Sequence, residues 1–249
     1  MTAETRRSAS ERGPTRRRPP GEPLSRDRIV SAALALVDQE GLPSLSMRRL
    51  AATLGVDPMA IYYYLPNKAA LLDAIVEAVN LDMPVASFEF PPALDDLVVA
   101  AGRVLRAVLL RHPHAIPLLA VRPVATPAAS IPADAMLGAL VRSGLTPAEG
   151  VAAIDVFSTF ITASVLRQVQ YPAGPEQDPH VQLRQLKESL DETESPNLIR
   201  ALAEGNLMDF DAEFEFGLHA LARGFAEVVA ARAAQQGRVD RGIGMEIQA

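Results

Sequence analysis

Between Ser46 and Asn67 the chain is punctuated every few residues by groups that start or stop helices, and this leaves room only for two short helices and a tight turn. Ser46 is a good N-cap, because its side-chain oxygen can accept an orphan helix N–H. Leu50, Ala51 and Leu54 follow at helical spacing, and Gly55 supplies the stop. Asp57 caps again, and Pro58 takes the first helical position, where a missing N–H costs nothing. Ile61 and Leu65 lie one turn apart and face inward. Pro66 ends that helix and Asn67 caps the next. Two short helices separated by Gly55, Val56 and Asp57 have helix-turn-helix spacing, the second helix being the one that would enter a DNA major groove.

The flanks read as helices too. Ser25 caps a first helix carrying Ile29, Ala32, Ala33, Leu36 and Val37, which Gly41 closes. Leu71, Leu72, Ile75, Val76 and Val79 mark a fourth, broken by Pro84, and Pro91-Pro92 reads as a boundary. Beyond it, Leu97, Ala101, Val104, Leu105 and Val108 predict a helix closed by Pro113, followed by a short segment from His114 to Ala120. Another helix is expected from Pro132 to Ser143, with Gly144 at its end. Thr146 and Glu149 form a capping box opening a helix to about Tyr171 that is apolar nearly all round, the pattern of a helix buried on every side. Residues 172–197 are polar, with one short helix expected near Val181 to Leu190. Asp211 would cap a last long helix carrying Phe214, Leu218, Leu221, Phe225 and Val228. No strand pattern appears, so the fold class is all-α. Four parts are expected: a disordered Arg-rich arm (1–24), a helix-turn-helix domain (25–83), a larger helical domain (84–234) and a flexible tail (235–249).

The net charge of −6 argues against nucleic acid until its distribution is considered. Residues 1–80 hold 11 Lys+Arg against 9 Asp+Glu, whereas residues 81–249 hold 13 against 21. A phosphate backbone responds to the local charge. The absence of cysteine excludes disulfides, thiolate nucleophiles and Cys-based metal sites. No uninterrupted apolar run reaches the roughly 18 residues of a membrane span, so no membrane partner is expected. The Arg-rich start lacks an apolar secretory core, which together with the missing cysteines fits a cytoplasmic protein. His112, His114, His180 and His219 read as ordinary surface histidines, so no metal, cofactor or catalytic residue is expected.

The residues around the turn carry the functional reading. Pro58, Met59 and Tyr62 share the face opposite Ile61 and Leu65, and Tyr63 lies beside them. An outward Met with adjacent tyrosines is odd on a solvated surface and sensible on DNA: Tyr hydroxyls bond phosphates, and Met or Ala touches thymine methyls. Arg48 and Arg49 lie in the first turn of their helix. Lys68 opens the next, where its charge and the helix N–H groups can meet a phosphate together. For Tyr64, packing within the small domain is an equal alternative.

Residues 25–80, from LSRDRIVSAALALVDQEG through LSMRRLAATLGVDPMAIYYYLPNKAALLDAI, resemble the TetR family of transcriptional repressors. That resemblance implies that Arg48 reads a base, that Met59 and Tyr63 lie on the reading face, and that Ser46, Tyr62 and Lys68 contact phosphate. The remainder is similar to the C-terminal domain of the tetracycline repressors, in the helix ending LLRHP, the Arg122-Pro123 step and the two long helices near 147–171 and 211–234. It implies a homodimer joined by those two helices. At the positions where tetracycline repressors hold the metal-bound drug, this chain has Leu118, Arg167 and Pro84. A more apolar small-molecule effector is therefore expected, in a pocket drawn from Leu105, Leu109, Leu118, Arg122, Leu137, Val141, Phe157 and Phe160.

The reading is a ligand-responsive repressor that binds a palindromic double-stranded operator as a homodimer and is released by its effector. The alternative is a helical small-molecule sensor acting through protein contacts. An enzyme ranks last, because nothing clusters the acids, bases or metal ligands of catalysis.

Overall fold

The four caps at the N-terminal end form as their residue types dictate. In the computed structural model, which describes residues 23–122, 126–170, 179–204 and 209–246 (backbone alone at 179, 180, 204 and 237–246), Ser25 Oγ accepts the Arg28 N–H and starts α1 (Arg26–Glu40). Ser46 Oγ accepts from the Arg49 N–H at 3.1 Å to open α2 (Met47–Leu54). Asp57 Oδ1 accepts from the Met59 N–H at 2.8 Å to open α3 (Pro58–Tyr64), and Asn67 Oδ1 accepts from the Ala70 N–H at 2.9 Å to open α4 (Lys68–Leu81). Each cap contributes about 1 kcal/mol. Gly55 closes α2 at φ 71°, a left-handed conformation that costs other residues roughly 1 kcal/mol or more. A 3₁₀ turn, Leu42–Ser44, follows α1 and was not expected from the sequence. Ile29, Ala33, Val37, Leu50, Ile61, Leu71 and Ile75 close the head's core.

The larger domain comprises α5 (Leu94–Arg111), a 3₁₀ turn (Pro113–Ala115), α6 (Ile116–Val121), α7 (Ile131–Arg142), α8 (Pro147–Gln170), α9 (Pro179–Ser189), α10 (Pro196–Glu204) and α11 (Phe210–Glu246). No strand occurs among the described residues, and the all-α expectation holds. The capping box of α8 is reciprocal: Glu149 Oε2 accepts from the Thr146 N–H at 2.7 Å, and Thr146 Oγ1 from the Glu149 N–H at 3.2 Å. Leu97, Val98, Leu140, Phe157, Ile161, Phe214 and Leu218 form the second core, where α5, α7, α8 and α11 meet.

Several expectations need correction. α10 was not foreseen, although Pro196 at its first position and Leu198, Ile199 and Leu202 at helical spacing are its signals. Asp209, rather than Asp211, caps α11, its Oδ1 accepting from the Asp211 and Ala212 N–H groups at 3.1 and 3.0 Å. The backbone of α11 continues to Glu246 where a flexible tail was expected, because no proline interrupts it and loss of an apolar stripe does not by itself end a helix. α8 is long and apolar enough to cross a bilayer by length and composition although Glu149, Asp155 and Arg167 interrupt its apolar run, yet its Ala153, Phe157, Ile161 and Val165 stripe is core. In a single chain that stripe is the buried part; Val151 and Val156 lie open. The Arg-rich arm, including Arg16, Arg17 and Arg18, falls outside the described residues up to position 22.

The two domains are joined by polar ties. His112, at the end of α5, places Nδ1 2.8 Å from Asp38 Oδ2 on α1 and Nε2 3.4 Å from Asp82 Oδ2 at the end of α4. His114 Nδ1 lies 3.0 Å from the Asp38 carbonyl oxygen. Burial opposes ionisation of Asp82, but hydrogen bonds from Arg111 and His112 outweigh it and hold its carboxyl below the ordinary value. His112 and His114, two of the four histidines that read as surface groups, are thus junction residues.

Two outcomes test this packing. A Cβ at Gly102 of α5 would lie 2.5 Å from Leu218 Cδ1, on a side chain with no free surface. Gly102→Ala should therefore destabilise the protein by about 1–3 kcal/mol in urea unfolding; an unchanged midpoint would show that Leu218 has room to move. Hydrogen bonds from Thr146, with Arg232 adding its charge, lower the Glu149 carboxyl below its ordinary value. A lowered carboxylate contributes stability at neutral pH and loses it as pH falls through the folded-state value. The ionised group contributes at every higher pH, so Glu149→Gln should lower stability at neutral and alkaline pH and flatten the acid limb, with the two profiles converging in acid.

Candidate nucleic-acid interface and ligand cavity

α3 has only seven residues, so its orientation comes from its anchors. Ile61 and Leu65 are buried in the head's core and pull one face inward. The opposite face is left in solvent: Met59 is 72% and Tyr63 86% exposed, and Tyr62 is also exposed. Pro58 sits at the first position and is half-buried. A large thioether and a phenol left bare on the same short helix form a surface that packing does not explain.

The surrounding polar groups divide by how they are held. Arg48 is exposed, and among the described residues nothing engages its guanidinium. Arg49 donates from Nη2 to Glu40 Oε1 at 2.7 Å, an exposed pair of small energetic worth that leaves the arginine available. Ser46 uses its oxygen in the cap and keeps its O–H to donate. Lys68 Nζ donates to the Leu45 carbonyl at 2.8 Å, which steadies it beside the start of α4 while two of its protons remain. Tyr64 settles into the packing role left open by the sequence: its hydroxyl donates to the Leu24 carbonyl at 2.8 Å, and its ring meets Tyr63 edge-on at 5.2 Å.

A cavity of about 490 Å³ lies between the end of α4 and helices α5 to α8. That is ample for a small organic ligand. Its wall is mainly apolar, with Phe88, Phe90 and Phe157 contributing rings and Asn80, Ser158, Thr159 and Thr162 polar atoms. Of the eight residues expected to line it, Leu105, Leu109, Arg122 and Phe157 do. Leu118 does not: it is buried beneath the head, and its neighbour Leu119 takes the wall. Leu137 and Val141 pack against Gly150 of α8. Phe160 turns away to stack on Phe214 of α11, with ring centres 5.8 Å apart. Arg167 pairs with Glu213 and its guanidinium carbon lies 5.2 Å from the Phe210 ring centre, so it too is committed to packing against α11. No three His, Asp or Glu side chains among the described residues converge as metal ligands.

An exposed reading helix held by a capped turn, over a domain with a ligand-sized cavity, defines a helix-turn-helix regulator. Comparison with known proteins gives the particular family. Residues 29–75 match the model for bacterial regulatory proteins of the tetR family, and residues 91–229 that for the tetracyclin repressor-like C-terminal domain. The HTH-type transcriptional repressor DrrR1 of Streptomyces coeruleorubidus is 31% identical over 88% of this chain and 84% of its own length. The class D tetracycline repressor protein of Escherichia coli is 27% identical over 81% of this chain and 89% of its own. The crystal structure of ActR, a TetR family protein of Streptomyces coelicolor, in complex with actinorhodin superposes with a TM-score of 0.73 at 30% identity, covering 83% of this chain and 97% of that one. The chain belongs to the TetR family of transcriptional regulators.

Three substitutions separate the roles on this face. Arg48→Ala should relax preference at one guanine in each half-site by about 1–3 kcal/mol in competition binding; uniform weakening across sequences would make Arg48 a phosphate contact. Lys68→Ala should weaken every sequence and lower the salt slope by about 1. Tyr64→Phe should cost about 1 kcal/mol of stability with DNA preference untouched.

Proposed function

We propose that the protein is a homodimeric repressor whose α3 enters the major groove of a palindromic operator, with half-sites one helical turn, ~34–36 Å, apart. The observation that carries this reading is the bare Met59–Tyr63 face on a helix anchored by Ile61 and Leu65. Arg48 supplies the direct polar readout, Met59 and Tyr63 the apolar reading surface, and Ser46, Arg49, Tyr62 and Lys68 contacts to phosphate. Pro58 sets the approach of the first turn. Repression takes place in the cytoplasm, where the operator is.

The second copy joins through α8 and α11. The exposed Val151 and Val156 of α8, and Phe216 and Val228 of α11, support this surface, because a lone chain leaves them in water. Release follows from a small, mostly apolar effector in the α4–α8 cavity. Val76 and Val79 of α4 line that cavity and are also core residues of the reading head. An effector that binds the DNA-free packing of α4 more tightly shifts the population toward it, by no more than its differential affinity.

The fragment upstream of the protein's own gene should be retarded in a gel shift at low salt, with two-fold symmetric protection. No retardation would return the sensor acting through protein contacts to first place. Tetracycline with magnesium should leave the shifted band in place, since Leu118, Arg167 and Pro84 offer no metal-directed donors. Release by that complex would overturn the apolar-effector reading.

A further inference from the structure

The cavity carries a charge sign. Among the described residues, Arg122 is its sole ionisable lining group, and no carboxylate faces it. Arg122 stands at the end of α6 and reaches across to α4, where Nη1 pairs with Asp73 and lies 3.5 Å from the Ala69 carbonyl oxygen. Both contacts use the same nitrogen. A guanidinium has five N–H donors, and its two-nitrogen edge is the group best matched to a carboxylate or similar oxyanion. Among the described residues nothing takes that edge of Arg122. Asp73 is partly open to water, so it holds the arginine through an exchangeable tie.

A ligand filling this space covers Arg122 and strips water from it. A buried guanidinium with only one of its three nitrogens engaged is costly, so the ligand that binds best brings an acceptor of its own. A cationic ligand would find no counter-charge on the described wall and would meet Arg122 as a like charge. Resting on the effector reading above, we infer that the effector is an aromatic or polycyclic molecule bearing one anionic oxygen group, and that this group docks on Arg122 in competition with Asp73. The apolar body lies among Phe88, Phe90 and Phe157, and the anion reaches the one cationic point of the described wall. Because Asp73 belongs to α4 and Lys68 opens the same helix, drawing Arg122 toward the ligand loosens a tie between effector domain and reading head.

Two probes of matched shape test this: anilinonaphthalene sulfonate, an aromatic anion, and phenylnaphthylamine, its uncharged parent. Fluorescence titration of the full chain should give cavity binding of both. Arg122→Gln should weaken the sulfonate about tenfold, as for the loss of a charged hydrogen bond, and change the neutral probe less than about twofold. Retained binding of the neutral probe also establishes that the variant is folded. Asp73→Asn, which removes the competitor, should tighten the sulfonate and leave the neutral probe alone. Ala163→Trp, which fills the cavity, should abolish both. In wild type the sulfonate should release operator DNA at lower occupancy than the neutral probe. Equal loss of both probes in Arg122→Gln, undiminished sulfonate binding there, or sulfonate binding that survives Ala163→Trp would each overturn the inference. Failure of the unliganded protein to bind DNA would sink the repressor reading instead, and would leave the Arg122 selectivity standing.

Discussion

Val76 and Val79 belong to two interiors at once, and the rest of the structure hangs on that sharing. Each is about 2% exposed, each closes the hydrophobic core under the reading helix, and each forms part of the cavity wall. Protein interiors are packed like crystals, so a change in what fills the cavity reaches the same side chains that seat α4 against α1. Polar ties lie at either end of this shared wall. Arg122 holds Asp73 near the start of α4, and His112 and Arg111 hold Asp82 at its end. The apolar wall favours one packing of α4, and the ties determine how readily it can leave.

The cost of this arrangement is visible at Asp38. Its Oδ2 meets His112 at 2.8 Å, whereas its Oδ1 is buried with no partner among the described residues. A half-satisfied carboxylate at a domain junction is a place where a second packing can compete with the first. Nothing in the sequence marks Asp38, because its side-chain partner His112 lies 74 positions away, at a helix end read as a plain terminus.

Local chemistry was legible in the sequence and long-range choice was not. The caps at Ser25, Ser46, Asp57 and Asn67 and the box at Thr146–Glu149 involve atoms within four residues of one another, so residue type decides them; before α11 two aspartates two positions apart compete, and Asp209 is the one that caps. The bare face of α3 was legible for the same reason: Ile61 and Leu65 define its inside, and Met59 and Tyr63 must then be outside. The cavity was half legible. Apolar periodicity says that a helix has an inner side, but α5 to α8 each meet more than one neighbour. Which inward residues touch another helix and which touch open space depends on where those neighbours lie. Leu118 and Leu119 are adjacent in sequence and both pack against the head, yet only Leu119 also reaches the cavity wall. Phe157 and Phe160 part company because Phe214 is placed to stack on the latter. No window of sequence contains Phe214 beside Phe160.

The long apolar helix α8 shows the same limit from the opposite side. Its composition demands burial all round, whereas a single chain fully buries the stripe through Ala153, Phe157, Ile161 and Val165 and leaves other apolar positions partly buried or exposed. The remaining apolar surface measures what one chain lacks. Val151 and Val156 are each half exposed, and Phe216 on α11 is 80% exposed. Isolated apolar residues on a surface mean little, but three large ones on the two longest helices of a domain support the proposed pairing of copies along them. A second copy offers such a cover without any new sequence, because an isologous face needs only to complement itself. Joining two copies through α8 and α11 would also fix the distance between their reading helices, so the pairing of the effector domains would set the operator spacing that α3 can match.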